Sequence, residues 1–274
     1  MLTDKTYRIK DRIDHEIGFR GTAGRKGEKR SKRRKASPET IKRQNQWNRT
    51  KRLDRKIRAN FEESTSLYIT LTYKKELRPQ TPEEFKADRK TFLDALRKEY
   101  KKAGIPFKWI SRAEIGKRGA AHLHFLINDI PGANMIALVN RYWSKGRPMI
   151  KPADDLESGT LAEYFTKLSA DEYAGQTTWM DEKMQKAVTN YSCSRNLIEP
   201  EPEIKTYKRR TLEKAIREGI KPKKGYRILE DSIIYGVNPY TGNSYLHYSE
   251  VRANCAGALV KIPEWKEDPP WRYT

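Results

Sequence analysis

Five side chains of the 274-residue chain have the types and spacing to do chemistry together: Glu114, His122, His124, Tyr164 and Lys167. Around the histidines, Leu123, Phe125 and Ile127 alternate with His122, His124 and Leu126, the period of two that marks a strand. Alternate strand residues share a face, so the two imidazoles stand about 6.6 Å apart along the chain and can reach one cation. Upstream, the stretch from Lys108 to Glu114 reads as a second strand, and Gly116-Lys-Arg-Gly119 supplies turn chemistry for a hairpin between the two. Folding that hairpin brings Glu114 back beside the histidines as a carboxylate ligand. Two nitrogens and one oxygen suit Mn²⁺ or another transition ion by ligand type, while cellular abundance favours Mg²⁺.

Tyr164 and Lys167 are three residues apart in a helical pattern and so neighbours on one face. A phenol titrates near pH 10, so it attacks at neutral pH only if its proton is taken or its anion stabilised. A lysine ammonium beside it stabilises the anion and can neutralise charge on an entering phosphate. A divalent cation on Glu114, His122 and His124 would polarise a phosphate oxygen and align the phosphorus for in-line attack. The set describes a strand-nicking transesterification, in which a tyrosine oxygen attacks, a 3′-hydroxyl leaves, and a 5′-phosphotyrosine link stores the bond energy. Rejoining then needs no nucleotide, in keeping with the absence of a Gly-x-x-x-x-Gly-Lys-Ser/Thr loop from the sequence. Neither pair is specific alone, because His-x-His is more often structural and helical tyrosines usually pack. Their order and distance carry the reading.

The elements that must position these residues can be followed along the chain. Ser37-Pro38-Glu39 opens a basic helix running to Phe61, with Ser as N-cap and Pro at the first helical position. Leu67 to Tyr73 is β-branched and aromatic, a strand by propensity. Thr81-Pro-Glu-Glu84 is a capping box for a helix that presents Phe85, Phe92, Leu96 and Tyr100 on one face and stops at Gly104. Ala133 to Trp143 is an amphipathic helix, Arg147 to Pro152 a short strand, and Leu161 to Leu168 the tyrosine helix. Beyond Asn190 the chain reads as irregular until a hairpin formed by 232–238 and 244–251.

Charge points to the partner. The formal net charge is +21, and residues 1–60 carry 21 Lys and Arg against 7 Asp and Glu, two thirds of that excess. A balance of this size indicates nucleic acid or an anionic surface and says little about fold. The run Lys29 to Lys35, with Arg30, Lys32, Arg33, Arg34 and Lys35, has no apolar period and reads as a phosphate-tracking arm. Lys117 and Arg118 in the hairpin turn join it as expected DNA contacts. Trp47, Tyr207 and Trp271, set among positive charges, are candidates for stacking on unpaired bases. No apolar run approaches the roughly 18 residues of a membrane span. Cys193 and Cys255 form no metal or redox spacing and suit a reducing compartment. The expected setting is the cytoplasm of a bacterial host, with no membrane partner.

Three motifs in a fixed order then carry a resemblance: Leu67-Tyr-Ile-Thr-Leu-Thr-Tyr73, His122-Leu-His124 and Tyr164-Phe-Thr-Lys167. The sequence resembles the HUH endonucleases, the rolling-circle replication initiator (Rep) family, particularly phage- and plasmid-type members without a helicase domain. Glu114 sits where that family often places a third metal ligand. The resemblance spans roughly residues 37–200 and implies an antiparallel sheet with the histidines on its central strand and the tyrosine helix laid across that face. It also implies nicking and rejoining at a replication origin, with single-stranded or extruded origin DNA as substrate and a host helicase supplied in trans. Many relatives carry a second tyrosine four residues after the first; here that position is Leu168, and Tyr173 falls on the opposite side of a straight helix. This reads as a single-tyrosine enzyme.

The expected fold class is α+β, an antiparallel sheet with flanking helices. The expected organisation is a basic arm and helix over 1–62, the nuclease domain over 63–200 and a basic C-terminal region with a β-hairpin over 201–274. The alternatives are a relaxase or transposase with the same chemistry, or a nucleic-acid-binding protein that keeps the sheet without catalysis.

Overall fold

The computed structural model describes residues 1–19, 36–115, 120–153, 158–166, 190–208, 212–238, 240–253 and 257–262. Arg30, Lys32, Arg33, Arg34 and Lys35 of the arm, Lys117 and Arg118 of the turn, and Lys167, Tyr173 and Trp271 lie outside them. The chain is α+β, with antiparallel strands and flanking helices as the sequence leads one to expect, but it holds two five-stranded sheets where the sequence pattern points to one. It divides into two compact units, residues 48–199 and residues 1–47 with 200–274.

The 48–199 unit is built on the strands β3 (Ser66–Thr72), β4 (Trp109–Ile115), β5 (Ala121–Asn128), β6 (Pro148–Pro152) and β7 (Tyr191–Cys193), in the order β6-β3-β5-β4-β7. The histidine strand β5 is therefore central. Its period-two pattern sends Leu123, Phe125 and Ile127 to one face, where they join Ile69 and Leu71 of β3 and Ala113 and Ile115 of β4. Two helices cover this face, α2 (Pro82–Lys102) with Phe85, Phe92, Leu96 and Tyr100, and α3 (Met135–Tyr142) with Met135 and Val139.

α2 begins as its capping box requires. The Thr81 hydroxyl accepts from the Glu84 amide at 3.2 Å, and the Glu84 carboxylate reaches back to the Gln80 amide at 2.6 Å. It ends where Gly104 takes the left-handed conformation at φ 71°.

The opposite face is only partly apolar. Ile110 and Leu126 pack there with Leu53, Ile57 and Phe61 from the C-terminal part of α1 (Pro38–Asn60) and its extension, and with Leu161, Ala162 and Phe165 of α4 (Ser158–Thr166). The Thr50 and Thr166 hydroxyls meet at 2.6 Å, tying the end of α4 to α1. The rest of that face carries Glu114, His122 and His124.

The second unit holds the other sheet, in the order β8-β1-β2-β10-β9. Its strands are β1 (Leu2–Ile9), β2 (Arg12–Phe19), β8 (Glu203–Tyr207), β9 (Tyr226–Val237) and β10 (Ser244–Arg252), with a short helix α5 (Glu213–Glu218). The β9–β10 hairpin is the one expected, longer at its outer strand. The β1–β2 hairpin at the start of the chain has no counterpart in the sequence pattern, and neither do the strands β7 and β8, which fall in the stretch that reads as irregular. Leu2, Leu212, Ile220, Ile228, Leu246 and Tyr248 form this unit's core. His15 is buried there between Asp4 and Glu250, each at 3.5 Å from a ring nitrogen. Burial opposes its charge, but the bonds to and charges of Asp4 and Glu250 outweigh that and raise its pKa above the ordinary value.

The core on the back of the histidine strand generates a stability expectation. Phe125 is fully buried, stacked obliquely on Phe92 with ring centroids 5.2 Å apart. Phe125→Ala should cost about 3–5 kcal/mol in urea denaturation of the 48–199 unit. A loss below about 1 kcal/mol would mean that this face is not the core that fixes the strand.

Candidate active site

The register of three strands assembles the site. Glu114 lies opposite His122 across the β4–β5 pairing, Arg112 lies opposite His124, and on the other side Thr70 faces His124 and Thr72 faces His122. All six share one face of the sheet, because the period of two is common to the paired strands. The two imidazole centroids are 6.0 Å apart, close to the spacing that the strand rise alone predicts.

Tyr164 enters from above on α4. Its hydroxyl donates to Glu114 Oε2 and lies 2.7 Å from His124 Nε2, which is itself 2.8 Å from the same carboxylate oxygen. The neighbouring Phe165, fully buried, anchors the helix, and the Arg112 guanidinium donates to the Tyr164 carbonyl. The tyrosine read from the sequence thus meets two of the three expected ligands directly. Lys167 belongs to the stretch outside the described residues.

Three contributors are not assigned roles by the sequence reading. The Tyr68 hydroxyl lies 2.8 Å, and the Thr70 hydroxyl 3.1 Å, from His124 Nδ1. Tyr68 also stacks on the His124 ring at 5.9 Å and meets Tyr164 edge-on at 6.1 Å. Arg112 is the third, a cation only 4% exposed. Tyr68 and Thr70 stand inside the first motif at alternate positions, which puts them on the histidine face; only the pairing of β3 with β5 says what they touch. Among the stacking candidates, Trp47 lies against His247 at 5.5 Å and Tyr207 packs beside the core of its own unit.

Electrostatics set the resting state. The bond to His124 lowers the Glu114 pKa most; burial opposes it, and the bond from Tyr164 and the Arg112 charge assist, leaving the carboxyl at about 2. Burial pushes Tyr164 well above the ordinary phenol range, with further upward pressure from Tyr68 and Glu114. Burial likewise raises Tyr68, to about 12. His122 is lowered, chiefly by burial and then by His124, and so stays neutral. At neutral pH the site therefore holds one ionised carboxylate, a neutral His122 and a protonated Tyr164.

This donor set fits a divalent cation. His122 Nδ1 is buried without a hydrogen-bond partner among the described residues. His124 is oriented through Nδ1 by two hydroxyls, leaving Nε2 toward Glu114, the arrangement that metal-binding histidines adopt. Hydroxyls donate or accept, so Tyr68 and Thr70 support either tautomer of that ring. As the side chains stand, no three His, Cys, Asp or Glu among the described residues are drawn together into a finished cage. The Tyr164 hydroxyl takes up the Glu114 and His124 atoms that would be ligands.

Among the described residues no helix is long and apolar enough to cross a membrane. No curated protein and no solved structure matches the chain. Residues 66–169 match the model of a family of replication-associated proteins, the ORF2 type. The matched stretch runs from β3 through α4 and contains Tyr68, Thr70, Arg112, Glu114, His122, His124 and Tyr164, so the segment that builds the site is the segment similar to replication-associated proteins.

Proposed function

We propose that the protein is a replication initiator of the HUH type, which nicks and rejoins one DNA strand at a rolling-circle origin through Tyr164. The observation that carries the reading is the hydroxyl of a helical tyrosine in hydrogen-bond contact with both a carboxylate and an imidazole of the histidine strand pair. A protein that only binds nucleic acid has no use for that convergence.

In the proposed reaction the Tyr164 oxygen attacks the phosphorus of a phosphodiester. A phenolic O–P bond forms, the bond from phosphorus to the 3′ oxygen breaks, and the 3′-hydroxyl departs. The proton lost by the phenol balances the proton gained by the leaving oxygen. Reverse attack by a 3′-hydroxyl regenerates the phosphodiester, so no nucleotide is consumed. Glu114, His122 and His124 would hold a divalent cation, Mg²⁺ or Mn²⁺, which supplies positive charge to a non-bridging phosphate oxygen. The Tyr164 hydroxyl must leave Glu114 Oε2 and His124 Nε2 before those atoms can act as ligands, and its release frees it for attack. Arg112, bonded to the Tyr164 carbonyl, holds the helix while the side chain moves. Lys167 is the proposed stabiliser of the phenolate. Arg30, Lys32, Arg33, Arg34, Lys35, Lys117 and Arg118 are the proposed nonspecific phosphate contacts, and a host helicase the proposed source of unwinding.

Tyr164→Phe should bind origin DNA yet form no covalent adduct, since only the attacking oxygen is removed. Mass spectrometry of the wild-type adduct should find the nucleotide on Tyr164; finding it on Tyr173 or Tyr191 would sink the assignment. Excess chelator, or His122→Ala with His124→Ala, should abolish nicking while leaving most of the DNA affinity, which arises from phosphate contacts. Full nicking in chelator would rule out the cation. Tyr68→Phe keeps the ring stacked on His124 but loses the hydroxyl on Nδ1. It should weaken Mn²⁺ binding, followed by titration calorimetry, about 10–100-fold; unchanged affinity would show that Tyr68 does not orient a ligand.

A further inference from the structure

The end of the sheet at which His122 sits is also where the chain leaves β3, enters β6 and crosses from β4 to β5. Two arginines stand there that the chemistry above does not use, Arg78 and Arg147. Among the described residues neither has a carboxylate partner, although the chain pairs many of its other surface cations with acids. Arg78 follows the short 3₁₀ turn Lys75–Leu77, and its Nε is shielded from solvent with no hydrogen-bond partner. Its charge reaches His122, where it adds to the effects of burial and His124.

Arg147 is held to the same end of β3 by an unusually tight junction. The Thr72 amide donates to the Arg147 carbonyl at 3.1 Å, the Arg147 amide donates to the Thr72 hydroxyl at 3.0 Å, and that hydroxyl donates back to the Arg147 carbonyl at 2.8 Å. The Lys74 amide bonds the Lys145 carbonyl at 2.8 Å, and the Trp143 indole donates to the Thr72 carbonyl at 2.8 Å. Gly146 makes this approach possible, because a Cβ there would stand 2.1 Å from the Thr72 carbonyl oxygen. Thr72 in turn lies opposite His122. The junction therefore fixes the Arg147 backbone relative to the histidine strand and leaves its exposed side chain unpaired at the rim.

We infer that Arg78 and Arg147 bind consecutive backbone phosphates of a single DNA strand at the histidine end of the sheet, and so set where that strand lies over the site. The inference rests on the reading of the site as a DNA-nicking centre. A guanidinium shielded from water and without a counter-ion is unfavourable unless an anion completes it, and guanidinium matches phosphate in shape as well as charge. The ligand is the phosphodiester backbone and not the bases, since phosphate contacts fix position and carry no sequence information.

The test needs no knowledge of the origin sequence and no nicking. Affinity of the full-length protein for a short oligothymidylate is measured by fluorescence anisotropy across a range of salt, without added metal. Arg78→Gln and Arg147→Gln should each weaken binding roughly 10-fold, as expected for loss of a charge-assisted contact. Each should also flatten the slope of log affinity against log salt by about 0.7, the single-strand value per phosphate. Lys90→Gln, which removes an exposed lysine already paired with Asp94 at 2.6 Å, should leave the slope as it is. On the same strand made of uncharged methylphosphonate linkages, wild type and both arginine variants should bind alike, and Arg78→Lys should recover part of the loss on the charged strand. An unchanged salt slope in Arg78→Gln overturns the inference, and so does a deficit that persists on the uncharged strand, since that marks a structural role. If instead the slopes fall as expected and no tyrosine adduct ever forms, the phosphate track stands and the nicking reading falls.

Discussion

Everything at the site depends on the register of β5 between β3 and β4. Because side chains alternate, a slip of one residue would drive His122 and His124 into the apolar layer under α2 and lift Leu123, Phe125 and Ile127 to the polar face. Those three are almost completely buried, so the slip would expose them and bury two imidazoles without partners. The hydrophobic back of the strand thus fixes the chemistry on its front. The same register aligns Glu114 with His122, and Thr70 and Arg112 with His124, so one constraint places five functional groups at once.

Tyr164 is positioned by a different device. Leu161, Ala162 and Phe165 fasten α4 to Leu126 and Ile110 and to the apolar stripe of α1, and the tyrosine is carried in as the neighbour of Phe165. This anchoring has an electrostatic consequence. The burial that fixes the phenol also raises its pKa, as do the negative charges around it, so the resting hydroxyl is protonated and bonded to Glu114 and His124. Position and reactivity are therefore set separately: the fold supplies the first, and the second awaits positive charge arriving with the substrate or a cation.

The histidine pair, the Glu114 strand, the capping box of α2 and the tyrosine helix are legible in the sequence because each is encoded within a dozen residues by period, cap or turn chemistry. What they touch is not. Tyr68 and Thr70 look like ordinary strand residues, and their bonds to His124 exist only once β3 is paired with β5 some 50 residues later in the chain. The sheet of the other unit is hidden for a related reason. Its first hairpin turns at Lys10-Asp11, with Lys10 at φ 50°, where glycine or asparagine usually announces a turn. Its strand β2 then pairs with β10, more than 220 residues away, and β1 with β8. Mixed strands such as Leu-Thr-Asp-Lys-Thr-Tyr-Arg-Ile, half polar on both faces, give no alternation strong enough to reveal such partners.

The framework around the ligands is held by two apolar clusters, one on each face of the sheet, and neither includes Glu114, His122 or His124. In small metal-dependent domains the cation supplies the folding energy, because no core exists without it. Here the core is complete on both sides before any ligand is considered, and the ligand side chains are held by hydroxyls and by one another. A cation binding to such a site has little folding work to do, so its binding free energy is available to reorganise the bonds of Tyr164. The polar pocket in an otherwise apolar sheet face is costly for stability, and that cost is tolerable because the opposite face, with Phe92, Phe125 and Tyr100, is packed without a polar interruption at its centre. The sheet divides its two faces between these demands: one specifies the structure, and the other is left free to do chemistry.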